Sequence, residues 1–207
     1  MTEPLAGQVV ALIGQGSAQD RAFAMACAEA GANLALATVE PTQTQEFAMN
    51  SIANEAWAVG REQFVSVMDA GEGTAVQSFA EQTWDRYGRC DVIVAGHHAA
   101  SAAPLDELSQ DEWEATLRVN LTGPFLAAHA FGRLMERSGK GLVVLVSPEL
   151  ADADAGYMAA RAGLLEVVEA INRDWGGRGV RACVLPLKAG MTDAEAGRLL
   201  LAAIAAG

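Results

Sequence analysis

Val9-Val10-Ala11-Leu12-Ile13-Gly14-Gln15-Gly16-Ser17 is the stretch whose reading decides the fold. An apolar run too short for a helix, with little polar alternation, reads as a strand buried on both faces. It runs into a glycine-bearing turn and then into Ser17, which has Asp20 three positions on, the spacing of a capping box that opens a helix. Strand, tight turn and helix in immediate succession make the first half of a strand-helix-strand unit. The same grammar recurs along the chain. Apolar runs rich in Val, Ile, Leu and Ala fall at 8–13, 33–38, 64–68, 91–95, 141–147 and 180–185. Amphipathic stretches lie between them near 18–30, 42–57, 73–87, 109–137 and 156–175, and an Ala- and Leu-rich helix near 192–205 follows. Ser109 with Glu112 repeats the capping-box spacing. Strict alternation of this kind, with right-handed crossovers, predicts an α/β fold: a Rossmann-like, doubly wound parallel sheet of about six strands with helices on both faces.

The 207 residues, 51% of them hydrophobic and 19% charged, suit a single domain over 1–207, and no internal repeat or linker divides them. Fourteen Lys and Arg against 26 Asp and Glu leave a net charge of -12, which repels phosphate backbones and anionic membrane surfaces, so nucleic acid and membrane are not expected as partners. No apolar run reaches the roughly 18 to 20 residues of a membrane span, and the start Met-Thr-Glu-Pro lacks a signal peptide's basic and apolar regions; a cytoplasmic location is expected. Cys27, Cys90 and Cys183 are far apart in apolar stretches and read as buried reduced thiols. His97 and His98 are adjacent and His129 is isolated, so no metal site is expected.

Tyr157-Met-Ala-Ala-Arg161 carries the chemistry. Four residues are about one helical turn, which places phenol and guanidinium on one face. A phenol with an ordinary pKa near 10 moves protons at neutral pH only where its anion is stabilised, and a neighbouring cation supplies that. The alternative is a solvated helix face.

With Val9–Ser17, with Asp69 after the third strand, with Tyr-Gly-Arg-Cys-Asp-Val-Ile-Val at 87–94, with Val-Asn-Leu-Thr-Gly-Pro-Phe at 119–125 and with Ala-Gly-Leu at 162–164, this motif makes the chain resemble the short-chain dehydrogenase/reductase family from about residue 7 to 186. The resemblance implies an NAD(P)-linked oxidoreductase acting on a carbonyl or alcohol. Tyr157 would be its acid or base, Arg161 the electrostatic partner, Asn120 the support of a relay water and Ser147 the group that orients the carbonyl. Gly14, Gly16, Ala18, Thr38 and Asp69 fall at the cofactor-binding positions. Read without the family, Asn120 is an interior polar residue at a helix irregularity and Asp69 a cap at a loop start.

The departures from the family pattern bear on that activity. Its glycine-rich turn reads Thr-Gly, three residues, Gly, any residue, Gly; the same frame here holds Ile13, Gly14, Ala18 and Asp20. A dinucleotide pyrophosphate needs glycines there for close approach to the backbone and the N-terminal N–H groups of the next helix. Ala18 adds a methyl group and Asp20 an anion, so the chain's own carboxylate is expected in the phosphate position. Thr38 and Val39 carry neither the acidic residue that holds an NAD ribose nor a basic one for NADP. The expectation is therefore weak or absent NAD(P) binding, with NAD favoured over NADP. Strand register puts Pro148 where the family serine stands, beside Ser147. Ala95-Gly96-His97-His98 replaces an Asn-Asn-Ala-Gly motif and offers an alternative acid or base pair or a solvated loop. Arg161 replaces a lysine that also grips the nicotinamide ribose; arginine keeps the charge but is larger and planar. Pro186-Leu187 replaces Pro-Gly, and the substrate-covering segment and last strand are expected to be missing.

Two functions follow, beside a third reading as a binder of some other small ligand in the same crevice. One is an NAD(P)-linked oxidoreductase with impaired cofactor binding and catalysis; the other is a non-catalytic pseudoenzyme serving as a structural or regulatory subunit. A homodimer or homotetramer, or a hetero-oligomer with an active relative, is expected through helices 123–137 and 157–175. Both carry apolar residues beyond one buried stripe: Phe125, Leu126, Phe131, Leu134 and Met135 on one, and Leu164, Leu165, Val167, Val168 and Ile171 on the other.

Overall fold

The computed structural model describes residues 3–96, 98–99 and 102–207. Six parallel strands form one sheet in the order β3-β2-β1-β4-β5-β6: β1 (Val9–Gly14), β2 (Asn33–Thr38), β3 (Gln63–Ser66), β4 (Val92–Ala95), β5 (Gly141–Pro148) and β6 (Val180–Leu187). The chain winds outward from β1 to β3, returns to β4 on the other side of β1 and winds outward again. The β1/β4 boundary is thus the topological switch point, where α/β sheets form their ligand crevice. Helices α1 (Ala18–Glu29), α2 (Gln43–Ala58), α3 (Gly73–Tyr87), α4 (Gln110–Leu117), α5 (Gly123–Ser138), α6 (Ala155–Trp175) and α7 (Asp193–Ala206) complete the two outer layers. The Rossmann-like architecture expected from the alternation is the one observed.

Each central strand buries both faces, and alternate residues serve different cores. Val10, Leu12, Val92, Val94, Val144 and Val146 pack with Phe23, Met49 and Leu200 from α1, α2 and α7. Ala11, Ile13, Ile93, Val143 and Leu145 pack with Phe79, Phe131, Leu164 and Val168 from α3, α5 and α6. Phe79 and Phe131 meet edge to face with centroids 5.4 Å apart, a geometry the ring quadrupoles favour. Polar positions at the margins hold the strand ends. Asp91 is buried, accepts the Val9 N–H at 2.9 Å and pairs with Arg89, tying the start of β4 to the start of β1. At the sheet edge the Asn172 amide binds both the N–H (2.8 Å) and the C=O (3.0 Å) of Ala182, and Pro186 sits where a missing N–H costs least.

The long helix expected over 109–137 is interrupted. Residues Arg118–Thr122 form a π-helical turn between α4 and α5, with Asn120 buried inside it. Both expected capping boxes form, at Ser17 with Asp20 and at Ser109 with Glu112, and a third closes Thr192 with Glu195. Cys27 and Cys90 are buried thiols, whereas Cys183 is half-buried because β6 is an edge strand. Among the described residues no helix is long and apolar enough to cross a membrane, and no group of three or more His, Cys, Asp or Glu gathers as a metal site.

Candidate functional site

At the switch point the turn from β1 into α1 exposes backbone N–H groups that the first turn of a helix leaves without partners. The chain fills them itself. Asp20, 1% exposed, turns its carboxylate back over the turn: Oδ2 accepts from Gln15 N (3.0 Å), Ser17 N (3.0 Å) and Ser17 Oγ (2.9 Å). The Ser17 hydroxyl in turn accepts the Asp20 N–H at 3.1 Å. Oδ1 is buried without a hydrogen-bond partner. Burial pushes the Asp20 carboxyl above the usual carboxylate range, against the pull of these bonds. The carboxylate also explains two glycines: a methyl group on Gly14 would stand 2.6 Å from its Cγ, and one on Gly96 3.0 Å from Oδ1. Gly16 has φ +79°, and a methyl group there would collide with the Ala48 side chain, so α2 presses on the turn from outside. Ala18, the first helical residue, is exposed.

The second-strand end is closed in the same way. The Thr38 side chain does not face the crevice. It is fully buried, donates to the Met68 C=O and accepts the Met68 N–H, both at 2.8 Å, and so clamps β2 to the chain leaving β3. Strand register explains this, since alternate side chains at a strand end point to opposite faces of the sheet. Thr38→Val keeps the shape but leaves two buried backbone groups unpaired, so the urea midpoint should fall by the equivalent of about 2 kcal/mol with an unchanged slope. The backbone N–H groups of Val39 and Glu40 both donate to Oε1 of Gln45, at 3.0 and 2.9 Å. Nothing in the sequence marks Gln45, since a glutamine in the first turn of a helix is ordinary; only the folded loop brings its oxygen back over residues 39 and 40.

Asp69 forms the loop cap, accepting the Gly71 N–H at 2.8 Å, and pairs with Arg118, which also reaches Glu72 at 2.9 Å. The guanidinium lies so close over Gly71 that any side chain there would collide with it. The cavity beside it, lined by Val39, Ala70, Gly71 and Val119 among others, measures about 70 Å³, against roughly 300 Å³ at the small end of ligand pockets.

Tyr157, Arg161 and Ser147 do come together, along the first turns of α6 and the end of β5. Arg161 Nε donates to Ser147 Oγ at 3.1 Å, and the Tyr157 hydroxyl donates to the Pro148 carbonyl at 2.8 Å. Tyr157 is 2% exposed. Burial pushes its phenol above the ordinary value, and the opposing charge of Arg161 does not cancel that. The cation therefore acts in the direction expected of it, but desolvation outweighs it. Ser147 is buried and serves as the arginine's partner. Asn120 is held in a structural clamp: its amide nitrogen donates to the Thr116 carbonyl (2.9 Å) and the Ala99 carbonyl, and its oxygen accepts the Ala99 N–H at 3.1 Å. This fastens the loop after β4 to the π-helical turn, in keeping with its reading as an interior polar residue at a helix irregularity. His97 lies outside the described residues. His98 is half-buried, and desolvation holds its imidazole below the ordinary value while the Asp20 carboxylate pulls it up.

A doubly wound sheet with a glycine turn at the switch point and a tyrosine and cation on the helix after β5 defines a dehydrogenase-type fold. The chain belongs to the short chain dehydrogenase family, whose profile matches residues 8–200. It is 30% identical over 181 residues to a D-threitol dehydrogenase of Mycolicibacterium smegmatis, an alignment covering 86% of this chain and 68% of that protein. Among solved structures it resembles a metagenomic short-chain oxidoreductase in complex with NADP (TM-score 0.85, 23% identity, 97% of this chain and 92% of the other). A gluconate 5-dehydrogenase from Burkholderia cenocepacia in complex with NADP and tartrate is similar too (TM-score 0.84, 24% identity, 98% and 88%).

Proposed function

We propose that this protein is a short-chain dehydrogenase of the NAD(P)-linked carbonyl and alcohol type whose cofactor binding and hydride transfer are impaired by its own side chains. The observation that carries the reading is the Asp20 carboxylate seated on the Gln15 and Ser17 N–H groups. These are the donors a dinucleotide pyrophosphate would need, and they hold an anion already. The residues present do not fit a pyrophosphate while Asp20 is ionised, because a phosphate would meet a buried negative charge and engaged donors together. Gln45 on the N–H groups of Val39 and Glu40 adds the same difficulty at the ribose end, without choosing between NAD and NADP. Calorimetry with the oxidised and reduced forms of both cofactors tests the reading. Binding at neutral pH should be weaker than micromolar for all four, and a micromolar Kd for any of them, about 8 kcal/mol, would overturn it.

The non-catalytic reading has its own support. The Tyr157 hydroxyl is committed to a backbone carbonyl, and the outer face of α5 and α6 carries apolar groups a partner could cover. Of the residues counted as surplus, Phe131, Met135, Leu164, Val168 and Ile171 pack on the sheet, and Leu126, Leu134 and Val167 are half-buried against the core. Phe125 at 47% and Leu165 at 56% exposure stay open, and so does Met158 of α6 at 64%. Between the helices lies a cavity of about 240 Å³ lined by Phe125, His129, Val167, Ile171 and Trp175. Self-association through this face into a homodimer or homotetramer is the assembly proposed, and a hetero-oligomer with an active relative would use the same face. Light scattering at micromolar concentration should find a dimer or larger species, and Phe125→Glu with Leu165→Glu should shift it to monomer. A parent protein that is monomeric without added partner counts against self-association.

A further inference from the structure

The two oxygens of Asp20 differ sharply. Oδ2 accepts three hydrogen bonds, whereas Oδ1 is buried, unpartnered, and lies against Gly14 and Gly96 at the meeting of β1 and β4. A buried acceptor with no donor is costly, and for a carboxylate the cheapest remedy is a proton. That proton belongs on Oδ1, because a proton on Oδ2 would oppose the donors of Gln15 and Ser17. We propose that the turn between β1 and α1 admits a phosphate ester only together with a proton: Oδ1 takes the proton, which removes the buried negative charge, and Oδ2 of the neutral carboxyl, now a weaker acceptor, yields the Gln15 and Ser17 N–H groups to the incoming anion. The cradle would thus be closed to anions in alkali and open to them in acid. This inference rests on the reading that Asp20 is what impairs cofactor binding.

The surroundings of Asp20 support an assignment to this one group. The turn at 14–17 and the β1 end contribute no titratable side chain, and α2 meets the turn through Ala48. On α1, Arg21 points away, paired with Glu55. Among the described residues the loop after β4 contributes His98, and α7 meets α1 through Gly197 against Ala22. Burial raises the Asp20 carboxyl, and an approaching phosphate would raise it further, so binding and protonation favour each other by linkage.

The test is calorimetry of the full chain with ADP-ribose, which carries the pyrophosphate and withstands acid, from about pH 8 down to about pH 5. Titrations in buffers of different ionisation enthalpy count the protons exchanged. For the parent, affinity should rise by up to about tenfold per pH unit over part of this range, with uptake approaching one proton per ligand bound. Asp20→Asn, whose amide oxygen can still accept from Gln15 and Ser17, should bind more tightly than the parent at pH 8 and show a flat profile; Asp20→Gly serves if the asparagine variant folds poorly. A parent profile that is flat and proton-free overturns the inference. If the parent is then weak throughout while Asp20→Asn binds, the impaired-binding reading survives; if the parent binds tightly at pH 8, that reading falls as well. An acid response that persists in Asp20→Asn and vanishes in His98→Gln moves the proton to His98 and also overturns it.

Discussion

Ala18→Gly combined with Asp20→Gly is expected to tighten dinucleotide binding at neutral pH by about 100-fold, or about 3 kcal/mol. The parent offers a phosphate two occupied N–H groups and a buried negative charge; the variant returns the donors of Gln15 and Ser17 and removes the charge. The positive end of α1, now answered by Asp20, would be left to the ligand. Stability should move the other way. The variant loses the capping box with Ser17 and places two glycines in the first helical turn, a combined cost of about 2 kcal/mol. A tighter Kd alongside a lower urea midpoint is therefore the signature. Unchanged affinity in a folded variant would place the obstruction at Gln45 or Arg118 instead.

Asn120→Ala should cost about 3 kcal/mol of folding stability, read from chemical denaturation. Asn120 is 4% exposed, and its amide satisfies the Thr116 carbonyl and both backbone groups of Ala99. Truncation removes three hydrogen bonds and leaves the Thr116 carbonyl near the end of α4 without its side-chain donor. It should also free the loop after β4, so backbone exchange at Gly96, His98 and Ala99 should speed up beyond the global change. A loss below about 1 kcal/mol would mean that water replaces the amide and that the clamp is dispensable.

The fold was legible because its signals are local and repeated. The run Val9–Ile13 followed by Gly14 and Ser17 determines a buried strand, a turn and a capped helix from neighbouring residues alone, and the later alternation determines the winding. The placement of Asp20 was legible for the same reason: a carboxylate three residues past Ser17 folds back on its own turn. The candidate site was only partly legible, because direction and burial are not local quantities. Thr38 and Val39 are adjacent in sequence, yet strand pleating sends the Thr38 hydroxyl to Met68 and leaves the next backbone N–H groups to Gln45. Tyr157 and Arg161 share a helix face as their spacing requires. Whether the cation lowers the phenol's pKa depended on what covers it, and the folded structure buries the ring and gives its hydroxyl the Pro148 carbonyl.

What the sequence determined by itself was the order of elements, the caps and the presence of an anion at the glycine turn after β1, all set by residues within a few positions of one another. Tertiary structure alone decided that both oxygens of that anion are buried and that only Oδ2 finds partners. It also decided that Arg118 closes over Gly71 and that Asn120 holds the loop after β4. Each of these depends on strands and loops from distant parts of the chain meeting at the switch point. Solvation and hydrogen-bond partners there follow from three-dimensional packing, to which spacing along the chain is blind.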